Sequence, residues 1–542
     1  MKKKTINLTN KQEKLIQVLL VLSALVLVNL LVPQIRLLFR AIINVLALIT
    51  IILVLRKINI TKINKKTLII SILLALYTIR YFLDIHIATE NSLIVGLSII
   101  FKYLFVYHGI VFMFGICSLP ILTFYIYLFI DNIIPKIKTF IKSLTKIEKR
   151  YLTIMAIIGV ILSISITVMT TLFTDAVEST NGSSVVYDAL YTSDNGYLAQ
   201  TDAYTSLDNS ENDLRQPMFA VFALPFSIPA HIISEILPFS TQNMSYYIVM
   251  TIIQFILITI TTIMIARLLK LEESKKKYLY ILFSISFPYI IFSLLLEQYV
   301  MALFYLILTI YLYNEEKGIN HAYIGAVGTL LTSGVIFPLI SNKTSIKDKI
   351  IDIFKCFLVF CAILILSGRV VEFLNVFEQI TNLSAYTGVE VTWLNKVQQF
   401  THFISSLFIG PLGHIIENPF GFTSWQIQPI TTFSILGIVI LILCIISAII
   451  NRKEYITKVS FLWIIFSIIM LVILGWGTKE NGLILYSLYF GWAYFVLIFQ
   501  LLNNIFKNNK VFKIAFIILI LLMVIGYIPE LFNIFKFAIL NY

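Results

Sequence analysis

Apolar runs of about 20 residues recur along the whole chain, and their recurrence limits the possible folds more than any other feature. A run of that length crosses ~30 Å of hydrocarbon when it forms a helix. The strands of a membrane barrel would appear instead as short segments of alternating polarity. Composition agrees with helices in lipid, since 59% of the 542 residues are hydrophobic and only 13% are charged. The sequence therefore predicts an all-α polytopic membrane protein with roughly 11–14 transmembrane helices.

Basic residues cluster in short loops between the apolar runs, and the whole chain carries a net charge of +13. Short basic loops stay in the cytoplasm and set topology, so the charge does not indicate a nucleic-acid partner. The rule places residues 136–150 (KIKTFIKSLTKIEKR) and 269–277 (LKLEESKKK) inside. It places residues 174–216 and 367–428 outside, as two external loops. The abundance of Ile, Lys and Asn is typical of an AT-rich bacterial genome, and the expected location is the bacterial cytoplasmic membrane.

Three segments are not predicted as simple crossings. The proline-rich piece Pro217 to Leu237 is expected to dip into the membrane and return, because a full crossing would place the lysines of residues 269–277 outside. His321 to Ile340 is expected to be partial or paired. Amphipathic pieces of the second external loop are expected to lie along the membrane interface, with Trp393 and Trp425 at the headgroup level.

The first external loop is strongly acidic, with eight carboxylates between Thr174 and Gln216 and one base, Arg215. The eight are Asp175, Glu178, Asp188, Asp194, Asp202, Asp208, Glu211 and Asp213. Most are expected to be solvated. Asp213 and Arg215 differ because the loop runs from them straight into the proline-rich piece, at the water–lipid boundary, where an Arg suits a phosphate. Asp194 begins a segment whose apolar side chains would dock on the membrane surface, and a carboxylate held there can act as a general base.

Five segments follow one another in a recognisable layout: TSDNGYLAQTDAY, NDLRQPMFAVFALPF, FPYIIFSLLLEQYVMALFYLILTIYLY, GAVGTLLTSGVIFPLI and WGTKENGLILYSLYFGWAYFVLIF. This layout, from Tyr151 to about Phe532, resembles the membrane-embedded GT-C glycosyltransferases, which use polyprenyl-phosphate sugars as donors. The segments are similar to that family's acidic first-loop start, proline-containing loop end, later external acid, short Gly-rich element and donor-phosphate segment. One departure is Asn195, which stands where the family's D-E-x-Y pattern has Glu.

The resemblance implies roles for individual residues. Asp194 would be the catalytic base, while Arg215 or Lys479 would hold the donor phosphate. Asp213 and Glu297 would bind sugar hydroxyls, an acceptor or a metal. Asn481 is a further candidate near the phosphate. No metal ligand set is predicted from residue spacing and no cofactor is assigned, but a divalent cation remains an option because some family members use one.

The domain organisation follows from the extent of the resemblance. Residues 1–150 are expected to form an N-terminal membrane module of unknown role, and residues 151–542 a GT-C-like transmembrane catalytic core. The implied function is an extracytoplasmic glycosyltransferase that moves a sugar from a polyprenyl-phosphate donor to an envelope glycan, lipid or protein. Two alternatives stay open, a polysaccharide polymerase and a transporter or flippase of lipid-linked sugars.

Overall fold

The computed structural model describes residues 5–31, 37–57, 62–87, 109–169, 204, 215–237, 242–316, 321–340, 345–366, 387–410, 413–417, 423–427, 432–479, 482–506 and 509–541. Helices dominate these ranges. In chain order they are α1 (Asn10–Leu31), α2 (Leu37–Lys57), α3 (Lys65–Ile87), α4 (Gly109–Leu128), α5 (Ile134–Ser143), α6 (Lys146–Met169), α7 (Phe219–Ile236), α8 (Gln242–Leu268), α9 (Glu273–Ser284), α10 (Phe287–Leu294), α11 (Gln298–Glu316), α12 (His321–Thr329), α13 (Ile336–Ile340), α14 (Ile346–Leu366), α15 (Trp393–Ile409), α16 (Thr432–Ile450), α17 (Tyr455–Ile468), α18 (Ser487–Ile505) and α19 (Asn509–Asn541). Two short antiparallel ribbons accompany them, β1 (Thr5–Asn7) with β2 (Lys62–Asn64) and β3 (Gly413–Glu417) with β4 (Thr423–Ile427).

The length and composition of these helices agree with an all-α membrane protein. Within the described ranges, seven helices are long and apolar enough to cross a bilayer, or eight if the bent pair α9–α10 counts as one span. The chain is therefore a multi-pass membrane protein. The finer number of 11–14 crossings stays a prediction.

The chain forms two compact units. Unit 1 comprises Met1–Leu144 and Phe357–Val376, and unit 2 comprises Thr145–Cys356 and Phe377–Tyr542. The domain division predicted at residue 150 stays a prediction. The role predicted for the amino-terminal module remains a prediction.

In unit 1, α1 packs against α2 and α4. Leu20 and Ala24 of α1 meet Ile51 and Leu55 of α2 in a buried apolar cluster. Polar groups inside this hairpin satisfy each other, because Asn29 Nδ2 donates to Asn44 Oδ1 at 2.5 Å and Asn44 Nδ2 donates back to Asn29 Oδ1 at 3.1 Å. Paired amides of this kind hold neighbouring membrane helices together.

In unit 2, a buried group of charges joins the starts of α6 and α9 to the end of α8. Glu148 is fully buried, and its carboxylate accepts hydrogen bonds from Arg267 and Lys276. Lys276 also contacts Glu273, at 2.5 Å. Glu148, from the first predicted cytoplasmic segment, therefore contacts Lys276 of the second, while their placement on the cytoplasmic side stays a prediction.

The proline-rich piece forms one continuous helix, so the predicted dip and return within Pro217 to Leu237 is wrong. α7 runs through Pro225 and Pro229 without a break. Its first residue, Phe219, lies against Tyr204, and its last turn meets the start of α8, where Ser245 Oγ donates to the Leu237 carbonyl. A helix tolerates internal prolines when packing against its neighbours outweighs the lost hydrogen bonds.

The short Gly-rich element is broken, as the sequence predicts for His321 to Ile340. α12 ends at Thr329, Leu330 is extended, and a 3₁₀ turn over Leu331–Val335 leads into α13. Met218 N donates to the Gly328 carbonyl at 3.0 Å, which ties α12 to the start of α7. This element therefore holds the backbone at Met218, just after the segment predicted to be the first external loop.

α15 differs from the prediction made for its segment. Trp393 is exposed at its first residue, but most of the helix after it is buried, including Phe403, Ile404 and Leu407. It packs against α16 along its length. The prediction that this segment lies along the interface is therefore wrong for Trp393 to Ile409, whereas the side chain of Trp425 lies outside what the structure describes.

Candidate functional site

A double interruption of one helical path places Glu297 at the centre of the candidate site. α9 and α10 meet at a bend of 61°. Pro288 lies in the first turn of α10, and it has no N–H to continue the hydrogen-bond ladder of α9. The path breaks again after Leu294, and residues 295–297 lead into α11 without helical structure. Backbone polar groups without helical partners therefore lie at these breaks, where an unbroken span would have none.

Side chains of α8 satisfy the carbonyls that this second break leaves without helical partners. Tyr247 OH donates to the Leu294 carbonyl at 2.7 Å. Gln254 Nε2 donates to the Leu295 carbonyl at 2.6 Å and to the Ser293 carbonyl at 3.3 Å. The last carbonyls of any helix need such partners, and in a membrane water does not supply them. Glu297 follows this fixed segment directly and is only 1% exposed.

Tyr204, from the segment predicted to be the first external loop, lies in the same buried space. Its hydroxyl donates to Gln254 Oε1 at 3.4 Å, and its carbonyl accepts from Ser227 Oγ at 3.1 Å. Burial, and then the negative charge of Glu297, raise the pKa of Tyr204 well above its ordinary value. The phenol therefore stays protonated and acts as a hydrogen-bond donor beside the carboxylate.

Arg215 stands where the acidic loop reaches the protein body. Its side chain is half-buried, and its carbonyl accepts from Leu331 N at 2.7 Å, so the 3₁₀ turn after α12 holds its backbone. Arg215 is thus positioned by the same element that contacts the start of α7.

A glycine-containing turn, Gly475–Lys479, presents Lys479 at the end of the helical segment formed by α17 and its last π-helical turn. Gly475 and Gly477 adopt φ values of +68° and +74°, which glycine reaches without strain. Trp476 Nε1 donates to Tyr486 OH at 2.7 Å, and the Tyr486 ring lies edge-on to Tyr299 at 5.9 Å. Tyr299 lies in the first turn of α11, two residues after Glu297 in the chain.

The six predicted site residues divide into two groups. Glu297, Arg215 and Lys479 are described: Glu297 is buried, Arg215 is half-buried and Lys479 is exposed. Asp194, Asp213 and Asn481 lie outside the described residues, so their roles stay predictions.

The sequence analysis missed Gln254 and Lys396, which matter to the arrangement. Gln254 is the only amide of α8 beyond its first two residues, and an unusual polar residue in such a span is the signal that would have found it. Lys396, in the first turn of α15, is buried although its segment was predicted to lie along the interface. Among the described residues, no three His, Cys, Asp or Glu side chains gather closely enough to hold a metal ion.

Comparison with protein-family models, curated proteins and solved structures finds no match for this chain. The resemblance to GT-C glycosyltransferases therefore rests on the residues quoted for it.

Proposed function

We propose that the protein is an extracytoplasmic glycosyltransferase that moves a sugar from a polyprenyl-phosphate donor to a cell-envelope acceptor in the bacterial cytoplasmic membrane. The observation that carries the proposal is the buried Glu297 carboxylate, held where a broken span meets the anchored Tyr204 of the acidic external loop. Buried intramembrane carboxylates are costly and usually functional.

The proposed chemistry needs a base, a carboxylate that orients the sugar, and positive charge. Asp194 takes the proton of the acceptor hydroxyl as that oxygen bonds to the anomeric carbon, and the polyprenyl phosphate leaves with the electron pair of the broken C–O bond. Glu297 accepts hydrogen bonds from sugar hydroxyls and so orients the ring. Arg215 or Lys479 stabilises the leaving phosphate. Asp213 and Asn481 contribute contacts to the sugar or the acceptor.

The decisive experiment uses the purified full chain in proteoliposomes with a radiolabelled polyprenyl-phosphate hexose on the outside and an envelope extract as acceptor. Wild type should transfer label to the acceptor. Asp194→Asn and Glu297→Gln should each slow transfer by about 10²–10⁴-fold. Glu390→Gln, which changes an exposed carboxylate in the second external loop, is the matched control. Unchanged transfer in both site variants, or no consumption of any donor by wild type, would refute the proposal.

The 61° bend between α9 and α10 supports a second candidate, a flippase of lipid-linked sugars, because transporters use discontinuous helices at their binding sites. The same proteoliposomes distinguish the two. A flippase would move a fluorescent lipid-linked sugar between leaflets and leave it chemically intact, whereas a transferase would convert it to product.

A further inference from the structure

A crevice in unit 2 lies where four candidate membrane spans end together. It is lined by residues 268–272 and 453–456 with Lys275 and Asn503. The spans Met244–Leu268 and Leu483–Ile505 end at this crevice, Tyr455–Ile473 begins there, and the bent pair α9–α10 begins there at Glu273. Because the ends of membrane helices lie at the level of the lipid headgroups, the crevice opens where headgroups are the neighbouring molecules.

The lining combines aliphatic side chains with charges of both signs. Three lysines, Lys270, Lys275 and Lys453, line it together with two glutamates, Glu272 and Glu454. Within the ranges that the structure describes, none of these lysines lies within 4.0 Å of either glutamate carboxylate. The charges of the crevice are therefore not paired with one another, and both signs face a ligand that enters it.

Lys270 occupies a backbone position that favours glycine. α8 ends in a Schellman motif, in which Leu271 N donates to the Ala266 carbonyl at 3.4 Å and Lys270 N donates to the Arg267 carbonyl at 3.0 Å. Lys270 is the left-handed residue of this motif, with a φ of +50°, and no other non-glycine residue in the described ranges has a positive φ. A Cβ is unfavourable in this conformation, so we expect the lysine charge, and not the fold, to require this residue.

The other elements around the crevice also favour an anion. Lys275 Nζ donates to Asn503 Oδ1 at 2.6 Å and lies 5.6 Å from the centre of the Phe512 ring, which holds it against the end of α18. The N-termini of α9 and α17 meet at the crevice, and neither N-cap residue caps its helix through its side chain. Helix N-termini attract anions, so they act together with the lysines.

The two glutamates limit which anion fits. Glu454 Oε2 accepts from Gln500 Nε2 at 2.5 Å, and Glu272 is exposed. An ionised carboxylate accepts several hydrogen bonds and donates none. A bare phosphate would therefore meet repulsion here, whereas a phosphate that carries hydroxyl groups satisfies the lysines and the glutamates at once.

We propose that this crevice binds the headgroup of an anionic phospholipid that carries free hydroxyl groups, of the phosphatidylglycerol type. The lysines bind the phosphodiester oxygens, the glutamates accept from the glycerol hydroxyls, and the aliphatic side chains contact the start of the acyl chains. Basic pockets between membrane helices recognise lipid headgroups in this manner. This binding does not depend on the proposed transfer reaction, because Arg215, Glu297 and Lys479 do not line the crevice.

The test measures lipid binding by the full chain after removal of lipid in a neutral detergent. Dioctanoyl phosphatidylglycerol should raise the apparent melting temperature in a saturable manner. Dioctanoyl phosphatidylcholine, which has the same chains but neither net charge nor hydroxyl groups, should bind about 10-fold more weakly or less. Dioctanoyl phosphatidylmethanol, which keeps the charge and lacks the hydroxyl groups, should lie between the two. Glycerol phosphate binding as tightly as the lipid would overturn a lipid as the source of the phosphate.

Variants of Lys270 decide whether the lipid uses this crevice. Lys270→Gly should keep or raise the melting temperature of the lipid-free protein, because the backbone suits glycine. The same variant, and Lys453→Met, should each weaken phosphatidylglycerol binding by about 10-fold or more. Lys270→Arg should keep most of the affinity because the charge remains. Lys458→Met removes an exposed lysine of α17 that does not line the crevice, and it should bind as wild type does.

Equal affinity in Lys270→Gly, Lys453→Met and wild type would overturn the proposed site, as would equal affinity of the wild type for phosphatidylglycerol and phosphatidylcholine. A loss in Lys458→Met as large as that in Lys270→Gly would assign the binding to general surface charge and would also overturn it. Failure of the proposed function is distinguishable, because a chain that transfers no sugar would still show binding that depends on Lys270.

Discussion

Gly328 of α12 lies directly against the ring of Phe222 on α7. A Cβ on Gly328 would be 2.6 Å from Cε2 and 2.7 Å from Cδ2 of that ring. Gly328→Ala should therefore destabilise the protein by about 1–3 kcal/mol through overpacking. Thermal unfolding in detergent measures the effect. Gly334→Ala is the control from the same broken element, because its nearest neighbours would be 3.9 Å away and its melting temperature should stay at the wild-type value.

Phe222→Leu should rescue Gly328→Ala, since the smaller side chain makes room for the added methyl group. The double variant should unfold at a higher temperature than Gly328→Ala alone. Equal losses for Gly328→Ala and Gly334→Ala would contradict the predicted close contact.

Loss of Glu148 should destabilise unit 2 more than loss of its neighbour Glu273. Arg267 donates to both Glu148 oxygens, at 3.1 and 2.7 Å, and Lys276 Nζ approaches within 3.0 Å. Glu148→Gln removes the buried carboxylate that neutralises Arg267, at a cost of about 3–5 kcal/mol. The side chain of Glu273 is 47% exposed, so Glu273→Gln should cost less than about 1 kcal/mol. A matching decrease in melting temperature for both variants would contradict the predicted larger contribution of the buried Glu148 carboxylate.

The Asn29–Asn44 pair should show coupling in a double-mutant cycle. Each amide donates to the oxygen of the other, so Asn29→Leu or Asn44→Leu leaves an amide without its main partner. The double Leu variant should be more stable than the sum of the two single losses predicts, by about 0.6–1.7 kcal/mol. Unfolding of the three variants in bicelles gives the coupling energy. Strictly additive losses would show that the pair does not hold α1 against α2.

The ring of Tyr204 should matter more to stability than its hydroxyl. The hydroxyl makes one long hydrogen bond of 3.4 Å, while the ring packs edge-on against Phe219 at 5.0 Å. Tyr204→Phe should therefore cost no more than about 0.5–1.5 kcal/mol, whereas Tyr204→Ala should cost about 3–5 kcal/mol because it leaves a cavity. Melting temperatures in detergent compare the two variants. Equal losses would place the stabilising interaction on the hydroxyl and contradict this reading of the packing.

A helix break at Glu297 can be predicted from the sequence, because the polar pair Glu297 and Gln298 interrupts a long apolar stretch, whereas the burial of the carboxylate cannot. The structure indeed breaks the helix there and buries the carboxylate. The broken Gly-rich element was predictable for a similar reason, since Gly325, Gly328 and Gly334 recur within a segment too short for two full spans. In both cases a local sequence pattern determines where the helix breaks.

The contacts of Tyr204 and Gln254 could not be predicted, because 50 residues separate them and only tertiary packing brings them together. The burial of α15 was missed for another reason. Thr401, Ser405 and Ser406 look like the polar face of an interfacial helix, but their hydroxyls donate to backbone carbonyls of α15 itself. Hydroxyls satisfied within their own helix need no water, so such a helix packs among other helices despite its composition. Pro225 and Pro229 led to the opposite error. They predicted an interrupted segment, but packing keeps α7 helical through both.

The bend between α9 and α10 separates two ends of this membrane segment that belong to different parts of unit 2. Lys276, before the bend, belongs to the ion pairs on one face, and Glu297, after it, belongs to the candidate site on the other. A straight span would transmit any rotation or shift of one end to the other, whereas a bent one can absorb it. Substitutions near Glu297 can therefore alter the candidate site while the ion pairs of Lys276 stay in place. The two ends can thus evolve independently.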